Sequence, residues 1–408
     1  MTMLHTLNRR GLMTGLAGGG LLGLGGCATA LTPAAPFSPA SAVPYAERRP
    51  PIAPLHARMD RIFDVTVCLR PFRATGPRIE AEQVGDALVV HNYGHGGSGW
   101  SLSWGSATFA LRKALANSPA SVAVVGCGAI GLTTAVLAQE AGAKVTIYAK
   151  DLLPDARSAR ATGSWTPDSR IALTDAVSPQ FPAQWEEMTR ISFKRFRRYL
   201  GLPGNPIEWT DRYFIPDPPA STPGLVPIPV PPQTRPPLEF AEYRERIFDI
   251  TPRAEILPAG ATPFSSGPVR RTSSMQYNVA DYAHTLMADF LAAGGRIERR
   301  EFHGLSELGG LKEKVVINCP GYGARALCKD ETITPVRGQI SWLIPQPEVN
   351  YGLFYRDVSM LSRRDGIVVQ AVWGGDMFGY GNDQEVVDHA ETEAAVAILA
   401  ELYGRMTG

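Results

Sequence analysis

Three glycines in the sequence have the spacing of a phosphate-binding turn. Gly126, Gly128 and Gly131 form the pattern G-x-G-x-x-G in the segment GCGAIG. In such a pattern the first glycine allows a tight turn, the second lets the backbone approach a pyrophosphate, and the third lets a helix pack on a strand. The phosphates bind at the positive end of that helix, where N–H groups are free. An ordinary glycine turn is the alternative reading.

An acidic residue is expected about twenty residues after the first glycine, where it would bind ribose hydroxyls. Asp151 lies in this region and directly follows Lys150. Asp151 is therefore a candidate ribose ligand, and a solvated loop residue is the alternative. The glycine motif by itself does not distinguish NAD from FAD.

A second glycine-rich segment reads HNYGHGGSGWSLSWG from His91 to Gly105. His91 and His95 have an i, i+4 spacing that can hold a metal ion on a helix. They lie in a glycine-rich loop, however, and no third ligand is near in sequence. We therefore predict no metal at this pair.

The elements around both glycine-rich segments alternate between strand and helix. Apolar runs and helical spacing predict strands at residues 87–90, 122–125 and 144–148, and helices at 102–115 and from the glycine motif to about residue 141. This order is typical of a parallel α/β sheet, so the glycine motif has the context that favours nucleotide binding.

The rest of the chain is less regular. Helices are predicted at 184–200, 279–292 and 385–403, and strands at 314–318, 341–344 and 366–373. Residues 216–237 contain ten prolines and are predicted to be a long surface loop.

Composition narrows the class of protein. The chain has 408 residues, of which 44% are apolar, and a net charge of +1. It can bury a core, and it has no charge excess that would attract nucleic acid. The five cysteines show no zinc spacing, and whether Cys319 and Cys328 form a disulfide is left open.

The amino-terminal residues resemble an export signal. Arg9 and Arg10 precede an apolar, glycine-rich run that is too short to span a membrane. The arginine pair indicates the twin-arginine route, and Cys27 ends a lipobox-like sequence. We expect a signal peptide at 1–27, a tether rich in Ala, Pro and Ser at 28–58, and a periplasmic or membrane-anchored lipoprotein. A signal cut elsewhere, leaving a soluble periplasmic protein, is the alternative.

Three pairs of segments together resemble the D-amino-acid oxidase family. They are VAVVGCGAIGLTTAVLAQEAGAKVTIYAKD with ARATGSWTP (122–167), KVVINCPGYGARAL with PVRGQI (314–340), and LRPFRATGPRIE with VVHNYGHGGSGWSLSWG (69–105). The last pair is the most specific. In the family it comes last along the chain, whereas here it comes first, which resembles a circular permutation.

The resemblance implies a fold and a cofactor. It implies an α/β fold in which a Rossmann-like FAD-binding domain with a parallel sheet adjoins a substrate domain with a mixed α+β sheet. The FAD-binding domain would comprise residues 84–172 and 270–330, and the substrate and interface domain 59–83, 173–269 and 331–404.

The resemblance also assigns residues to the site. Arg70 matches the arginine that binds the substrate carboxylate, Tyr355 the tyrosine that assists it, and Gly97 lies beside the reacting ring; an ordinary ion pair is the alternative for Arg70, and plain core for Trp165. The implied FAD contacts are Gly126, Gly128, Ile130, Gly131, Asp151, Ser158, Gly163, Trp165, Cys319, Gly321, Gly96, Gly97, Ser98, Gly99, Trp100 and Ser101.

The implied reaction is oxidative deamination of a D-amino acid to a 2-oxo acid with ammonia and hydrogen peroxide. Electrons would pass to molecular oxygen or to another acceptor. Oxidation of glycine, sarcosine or D-aspartate-like substrates is an alternative, with Arg356, Arg363 or Arg364 as candidates for a second carboxylate. A flavin-binding surface protein without catalysis is another. Oligomeric state is left open.

Overall fold

A computed structural model describes residues 52–406, except residues 117, 231, 233, 234, 265 and 266. The predicted signal peptide, Cys27 and most of the predicted tether lie outside the described residues. Among the helices that are described, none combines the length and apolar character that crossing a membrane requires.

The described residues form fourteen strands and seven helices. The strands are β1 (Ile62–Arg73), β2 (Arg78–Val84), β3 (Ala87–Tyr93), β4 (Ser121–Val125), β5 (Lys144–Ala149), β6 (Ile207–Phe214), β7 (Glu255–Leu257), β8 (Val269–Tyr277), β9 (Arg296–Arg299), β10 (Val315–Asn318), β11 (Ile333–Leu343), β12 (Gly352–Tyr355), β13 (Val358–Arg363) and β14 (Gly366–Ala371). The helices are α1 (Gly99–Ala114), α2 (Ala129–Glu140), α3 (Phe181–Phe196), α4 (Val279–Ala292), α5 (Leu305–Gly309), α6 (Ala324–Leu327) and α7 (His389–Gly404).

A six-stranded sheet has the order β2-β3-β10-β4-β5-β9. Its strands are parallel except β2, which pairs antiparallel to β3 at one edge. Helices cover both faces, which explains why the inner parallel strands are mostly apolar, whereas the edge strand β9 is polar and largely exposed. One face packs on α1, α2 and α4 through residues such as Trp104, Leu132 and Phe290, and the other on α5 through Leu308.

An eight-stranded mixed sheet has the order β1-β11-β14-β13-β12-β6-β8-β7. Side chains of a strand alternate between the two faces of its sheet. One face packs on α7 through Leu353, Val369 and Leu399. The opposite face carries Cys68 and Arg70, which line the cavity described below.

The structure confirms the predicted α/β class and most predicted elements. The strand-helix-strand-helix-strand order from β3 to β5 is present, and α4 has the predicted bounds. The described residues of 216–237 form no helix or strand. Cys319 and Cys328 are both free thiols.

Two details differ from the sequence predictions. The end of the predicted tether is packed rather than extended into solvent, because Leu55 and Ala57 are buried against the large sheet and the hydroxyl of Tyr351 donates to the Ala53 carbonyl at 2.6 Å. The predicted domain boundaries also place two strands with the wrong partners. Strand β2 belongs to the six-stranded sheet, and β8 belongs to the eight-stranded sheet.

Candidate active site

One cavity of about 590 Å³ joins the two glycine-rich segments. Gly97 and Gly128, which the sequence places far apart on different elements, both line it, and so does Arg70. The other predicted site residues that line the cavity are Gly96, Gly99, Trp100, Gly126, Ile130, Asp151, Ser158, Cys319 and Gly321. The cavity therefore lies between the carboxyl ends of the parallel strands and the first strand of the large sheet.

The G-x-G-x-x-G turn has the close packing that requires glycine. Gly126 has a φ of +98°, and a Cβ atom there would lie 2.4 Å from the carbonyl oxygen of Cys319. A Cβ on Gly131 would lie 2.0 Å from the carbonyl oxygen of Gly126. A Cβ on Gly128 would meet the hydroxyl of Ser158 at 2.7 Å. Each glycine is thus fixed by a contact with backbone or with a site residue.

The first turn of α2 faces the cavity with unused donors. The N–H of Ala129 donates to the Ser158 hydroxyl at 3.1 Å, and the N–H of Leu132 begins the helical hydrogen bonds. The N–H groups of Ile130 and Gly131 have no acceptor among the described residues. Free N–H groups at a helix N-terminus are suited to bind phosphate.

The N-terminus of α1 presents a second set of donors. The N–H groups of Gly96 and Gly97 are occupied by the carbonyls of Pro71 at 2.9 Å and Ser169 at 3.0 Å. The Ser98 hydroxyl donates to Ser169 instead of capping the helix. Consequently, among the donors in the described first turn, those left free are the N–H groups of Gly99, Trp100 and Ser101.

These two helix N-termini are linked through one serine. Trp100 donates from its indole Nε1 to the carbonyl oxygen of Ser158 at 2.8 Å, while the Ser158 hydroxyl accepts from α2. The two positive helix ends therefore converge on one cavity. Their fields add, which favours a ligand that carries negative charge.

Acidic and basic side chains both line the cavity just beyond the carboxyl end of β5. Asp151 lines it as predicted, and Glu301 lines it from the end of β9. The ammonium of Lys150 lies 2.7 Å from a carboxylate oxygen of Glu301, which lowers the pKa of that carboxyl. Sequence reasoning missed Glu301, because β9 becomes the neighbour of β5 only in the folded sheet.

The two histidines of the second glycine-rich segment are held by polar neighbours. The His95 ring nitrogen Nε2 lies 2.6 Å from the Ser106 hydroxyl, and burial lowers the pKa of His95 to about 3. His91 contacts Asn318 at 3.1 Å and Glu82 at 3.3 Å. His95 is therefore a neutral side chain at physiological pH. Among the described residues, no three His, Cys, Asp or Glu side chains are placed to hold a metal ion together.

Arg70 extends from β1 across β11. Its guanidinium donates to the Arg337 carbonyl at 3.2 Å, and a Cβ on Gly338 would lie 2.4 Å from its nitrogens. Gly338 therefore leaves the room that Arg70 occupies. Arg70 forms no ion pair with a carboxylate in the described part of the chain, so the ordinary ion-pair alternative receives no support.

A second arginine, which sequence reasoning missed, stands close to Arg70. Arg170 is buried and donates to the carbonyl of Asp376 at 2.8 Å, and its guanidinium lies 3.1 Å from the Asp376 carboxylate. Burial and then the charge of Arg70 lower the pKa of Arg170 to about 10. This end of the cavity is therefore electropositive and suits a carboxylate.

The prediction that Tyr355 lies in the substrate site is wrong. Tyr355 is fully buried on the face of the large sheet that packs on α7, and its hydroxyl donates to the Glu401 carboxylate at 2.9 Å. Burial and then Glu401 raise the pKa of Tyr355 to about 12. Because side chains of a strand alternate, Phe354 faces the opposite side.

The three arginines considered for a second substrate carboxylate are also occupied. Arg356 pairs with Glu401 at 2.7 Å, Arg363 pairs with Asp365, and Arg364 pairs with Glu208 at 3.0 Å. None of the three lines the cavity. None of these three arginines is therefore placed to bind a second carboxylate of a substrate.

Five of the predicted cofactor contacts lie next to residues that line the cavity but do not line it themselves. Gly163 has a φ of +84° and packs on the carbonyl of Tyr277. Trp165 is buried and packs on Phe193 with ring centroids 5.4 Å apart. The Ser101 hydroxyl accepts from the N–H of Thr166 at 2.8 Å. Gly163, Trp165, Ser98, Ser101 and Gly131 do not line the cavity itself.

The donor set fits the FAD that the sequence implies. The free N–H groups of α2 suit the pyrophosphate, and those of α1 suit an electron-poor ring that gains negative charge. A side chain on any of the three motif glycines, Gly126, Gly128 and Gly131, would collide with its neighbours. A cavity lined by two positive helix N-termini suits such a dinucleotide.

Comparisons with known proteins agree with this reading. A protein-family model described as FAD dependent oxidoreductase matches residues 121–407. A D-amino-acid oxidase from Dictyostelium discoideum is 29% identical over 223 residues, which are 53% of this chain and 55% of the relative. A D-amino-acid oxidase from Streptomyces coelicolor is 28% identical over 225 residues, which are 54% of this chain and 58% of the relative.

Among solved structures, iminodiacetate oxidase from Chelativorans sp. BNC1 is similar with a TM-score of 0.46 and 12% sequence identity. The match covers 70% of this chain and 79% of that chain. In sequence, the chain spans a little over half the length of the two D-amino-acid oxidases above.

Proposed function

This chain belongs to the FAD-dependent oxidoreductase family, and we propose that it binds FAD and oxidises a D-amino acid to the 2-oxo acid, ammonia and hydrogen peroxide. One observation carries the proposal. Arg70, which has no carboxylate partner among the described residues, lines the same cavity as the free N-termini of α1 and α2. A carboxylate-binding group thus stands beside a site built for a dinucleotide.

Bound FAD supplies the acceptor for the hydride that leaves the substrate α-carbon. The chain itself binds and orients the substrate. Arg70 can hold both oxygens of a carboxylate with two parallel, charge-assisted bonds, which fixes the plane of that group. Arg170 lies behind Arg70 and adds positive charge. The carboxylate of Asp376 lies 3.1 Å from the Arg170 guanidinium and holds Arg170 in place.

The first turn of α1 supplies electrostatic stabilisation of the negative charge that develops during the reaction. The N–H groups of Gly99 and Trp100 are fixed before reaction, so they stabilise developing negative charge without reorganisation. His95 also lines the cavity, and because burial lowers its pKa to about 3 it adds no charge there at neutral pH. The substrate loses two electrons and two protons to become an imino acid, which water hydrolyses. Molecular oxygen takes the electrons and protons as hydrogen peroxide.

The test begins with the purified protein and its visible spectrum. A yellow protein that loses its colour without oxygen when one D-amino acid is added supports the proposal. A yellow protein that no D- or L-amino acid bleaches supports a flavin-binding module without catalysis. A colourless protein that binds NAD contradicts the FAD assignment.

The substrate role of Arg70 has a separate test. Loss of one partner of a buried charge pair costs about 2–5 kcal/mol, so Arg70→Leu should lower kcat/KM at least about thirtyfold and keep the bound flavin. Arg364→Leu is the matched control, because Arg364 is half-exposed and pairs with Glu208 away from the cavity. Equal activity of the two variants would remove Arg70 from the substrate site.

We also propose that the chain order is permuted relative to the family. The family model begins to match at residue 121, at the start of β4. Residues 69–105 precede this point, yet Arg70 and Gly97 line the same cavity as Gly128. A variant that moves residues 59–115 behind residue 406 should fold and bind FAD, because such rearrangements keep every contact of the site.

Export by the twin-arginine route, with a lipid on Cys27, is proposed from the sequence alone. Mass spectrometry of the protein from membranes of its native host would give the mature N-terminus. A lipid-modified Cys27 supports this proposal, and an unmodified N-terminus contradicts the anchor.

A further inference from the structure

One ion pair on the wall of the cavity joins segments of the two sheets. Arg157 lies in a short helical turn after β5 of the six-stranded sheet, and Glu385 lies between β14 of the eight-stranded sheet and α7. Nε of Arg157 donates to the two carboxylate oxygens of Glu385 at 3.2 and 3.3 Å, and Nη2 donates to one of them. Both residues line the cavity, and their side chains are 44% and 30% exposed. The pair therefore lies where the cavity meets solvent.

The carboxylate member of this pair is held by backbone anchors on both sides. Before Glu385, the N–H of Gly381 donates to the Pro335 carbonyl at 2.8 Å. After it, Arg337 donates from Nη2 to the Val386 carbonyl at 2.9 Å. Pro335 and Arg337 both belong to β11, so the eight-stranded sheet fixes the position of Glu385.

The arginine member is held by fewer contacts. Its guanidinium carbon lies 5.6 Å from the centre of the Tyr322 ring, which lines the cavity after β10. In the part of the chain that the structure describes, Glu385 is the one carboxylate that pairs with Arg157. Arg160 reaches the same carboxylate only at 3.8 Å, because it donates to the Val67 carbonyl at 2.9 Å. Arg157, on a long and half-exposed side chain, is thus the member that can swing away.

Another ion pair on the cavity wall has a different placement. Lys150 and Glu301, 2.7 Å apart, follow β5 and β9, which are neighbouring strands of the six-stranded sheet. That pair therefore stays within one sheet. Among cavity-lining residues that the structure describes, the ion pairs of Glu385 are those that connect the two sheets. A ligand that leaves between these two segments must first separate Arg157 from Glu385.

We propose that Arg157 and Glu385 form a latch that retains FAD in the cavity, so that this ion pair opens before the cofactor is released. The inference rests on the proposed binding of FAD. An exposed ion pair contributes little to folding stability, so the latch opens at low cost and acts on the rate of release rather than on the fold.

The experiment measures how fast bound FAD leaves. Protein loaded with radiolabelled FAD is mixed with a large excess of unlabelled FAD, and the label that the protein retains is followed with time. Arg157→Gln and Glu385→Gln should each release FAD about two- to fivefold faster than the parent protein, the range expected for loss of one exposed ion pair. The double variant should be no faster than the faster single variant, because either change already opens the latch.

Two further comparisons are specific to the ion pair. Exchanging the charges, with Arg157→Glu and Glu385→Arg in one chain, should return the release rate towards that of the parent. At about 1 M salt, where the Debye length is roughly 3 Å, the parent should approach the rate of Glu385→Gln. Arg112→Gln is the matched control, because Arg112 pairs with Glu187 at 2.8 Å, both are half-exposed, and neither lines the cavity. Its release rate should equal that of the parent.

Equal release from the parent and from both single variants overturns the latch. Faster release from Arg157→Gln alone also overturns it, because Arg157 would then act on FAD without Glu385. If the charge-exchanged variant does not take up FAD, the double variant decides, and additive effects of the two glutamine substitutions overturn the inference.

The outcome is separable from that of the proposed function. A protein whose FAD is bleached by a D-amino acid but leaves at one rate from all variants retains the proposed function and loses the latch. A protein that holds FAD through the latch and oxidises no amino acid does the reverse. A protein that binds no FAD contradicts both.

Discussion

The indole nitrogen of Trp100 donates to the carbonyl oxygen of Ser158 at 2.8 Å, and this bond joins the N-terminus of α1 to that of α2. Trp100 belongs to the second glycine-rich segment, whereas Ser158 packs against the G-x-G-x-x-G turn. The two halves of the site are therefore held together by a direct contact, independently of any ligand.

Trp100→Phe should destabilise the protein more than Trp165→Phe does. Both indoles are buried, but the Trp165 Nε1 has no hydrogen-bond partner, so its loss breaks no bond. Trp100→Phe also leaves the Ser158 carbonyl without its donor, which costs roughly 1–3 kcal/mol. Denaturant unfolding at equal FAD saturation measures the difference, and equal free energies would show that the bond contributes nothing.

Gly126→Ala should prevent FAD binding, whereas Gly142→Ala should not. The two glycines have similar φ values, +98° and +92°. A Cβ on Gly142 meets nothing within 4 Å, so its substitution adds only backbone strain of roughly 1–2 kcal/mol. A Cβ on Gly126 would also collide with the Cys319 carbonyl. Titration of the apoproteins with FAD, followed by fluorescence, compares them, and tight binding by Gly126→Ala would contradict the steric account.

Tyr355→Phe should reduce stability and leave turnover unchanged. The hydroxyl donates to the buried Glu401 carboxylate, and a hydrogen bond to a charged group contributes about 1.5–3 kcal/mol. Arg70→Leu should show the opposite pattern, with activity lost and the fold retained. Thermal unfolding and steady-state kinetics on both variants test this, and a Tyr355→Phe variant with a raised KM would return Tyr355 to the substrate site.

Stability should fall on the acid side of neutrality because of His95. Burial lowers the pKa of His95 to about 3 in the folded protein, from an ordinary 6.5. Between these values the unfolded chain binds a proton that the folded chain does not, so stability that is present above pH 6.5 is lost as the pH falls. For one such group the loss from pH 7 to pH 5 is roughly 2 kcal/mol.

His95→Gln isolates that contribution. The free energy of unfolding of the variant, measured at pH 7 and pH 5 with saturating FAD, should change by roughly 2 kcal/mol less than that of the parent protein. His91 titrates in both proteins, so its effect cancels in the comparison. Identical pH dependence would show that His95 becomes protonated in the folded state.

The nucleotide half of the site could be predicted because its signals are local. The turn from Gly126 to Gly131, its flanking strand and its helix are consecutive in sequence, and each glycine has a steric reason that the pattern already encodes. The acidic residue after β5 could be predicted only to within a residue or two. Where β5 ends, and that Glu301 lies beside this end, depend on the pairing of β5 with β9.

The substrate half could not be predicted to the same degree. Tyr355 and Phe354 differ by one position in β12, and only the register of that strand decides which of them faces α7. Gly338 packs against the Arg70 guanidinium, and Arg170 lies near enough for the charge of Arg70 to lower its pKa, but no spacing rule relates the three residues.

The pairing of β1 with β11 also governs the order of events at the ribosome. Strand β1 is among the first folded residues to be synthesised, but its partner, which aligns Arg70 with Val336, emerges more than two hundred residues later. The turn at Gly126 likewise waits for Cys319, on which it packs. A nascent chain therefore cannot assemble the cofactor cradle step by step, and maturation has to follow completion of nearly the whole polypeptide.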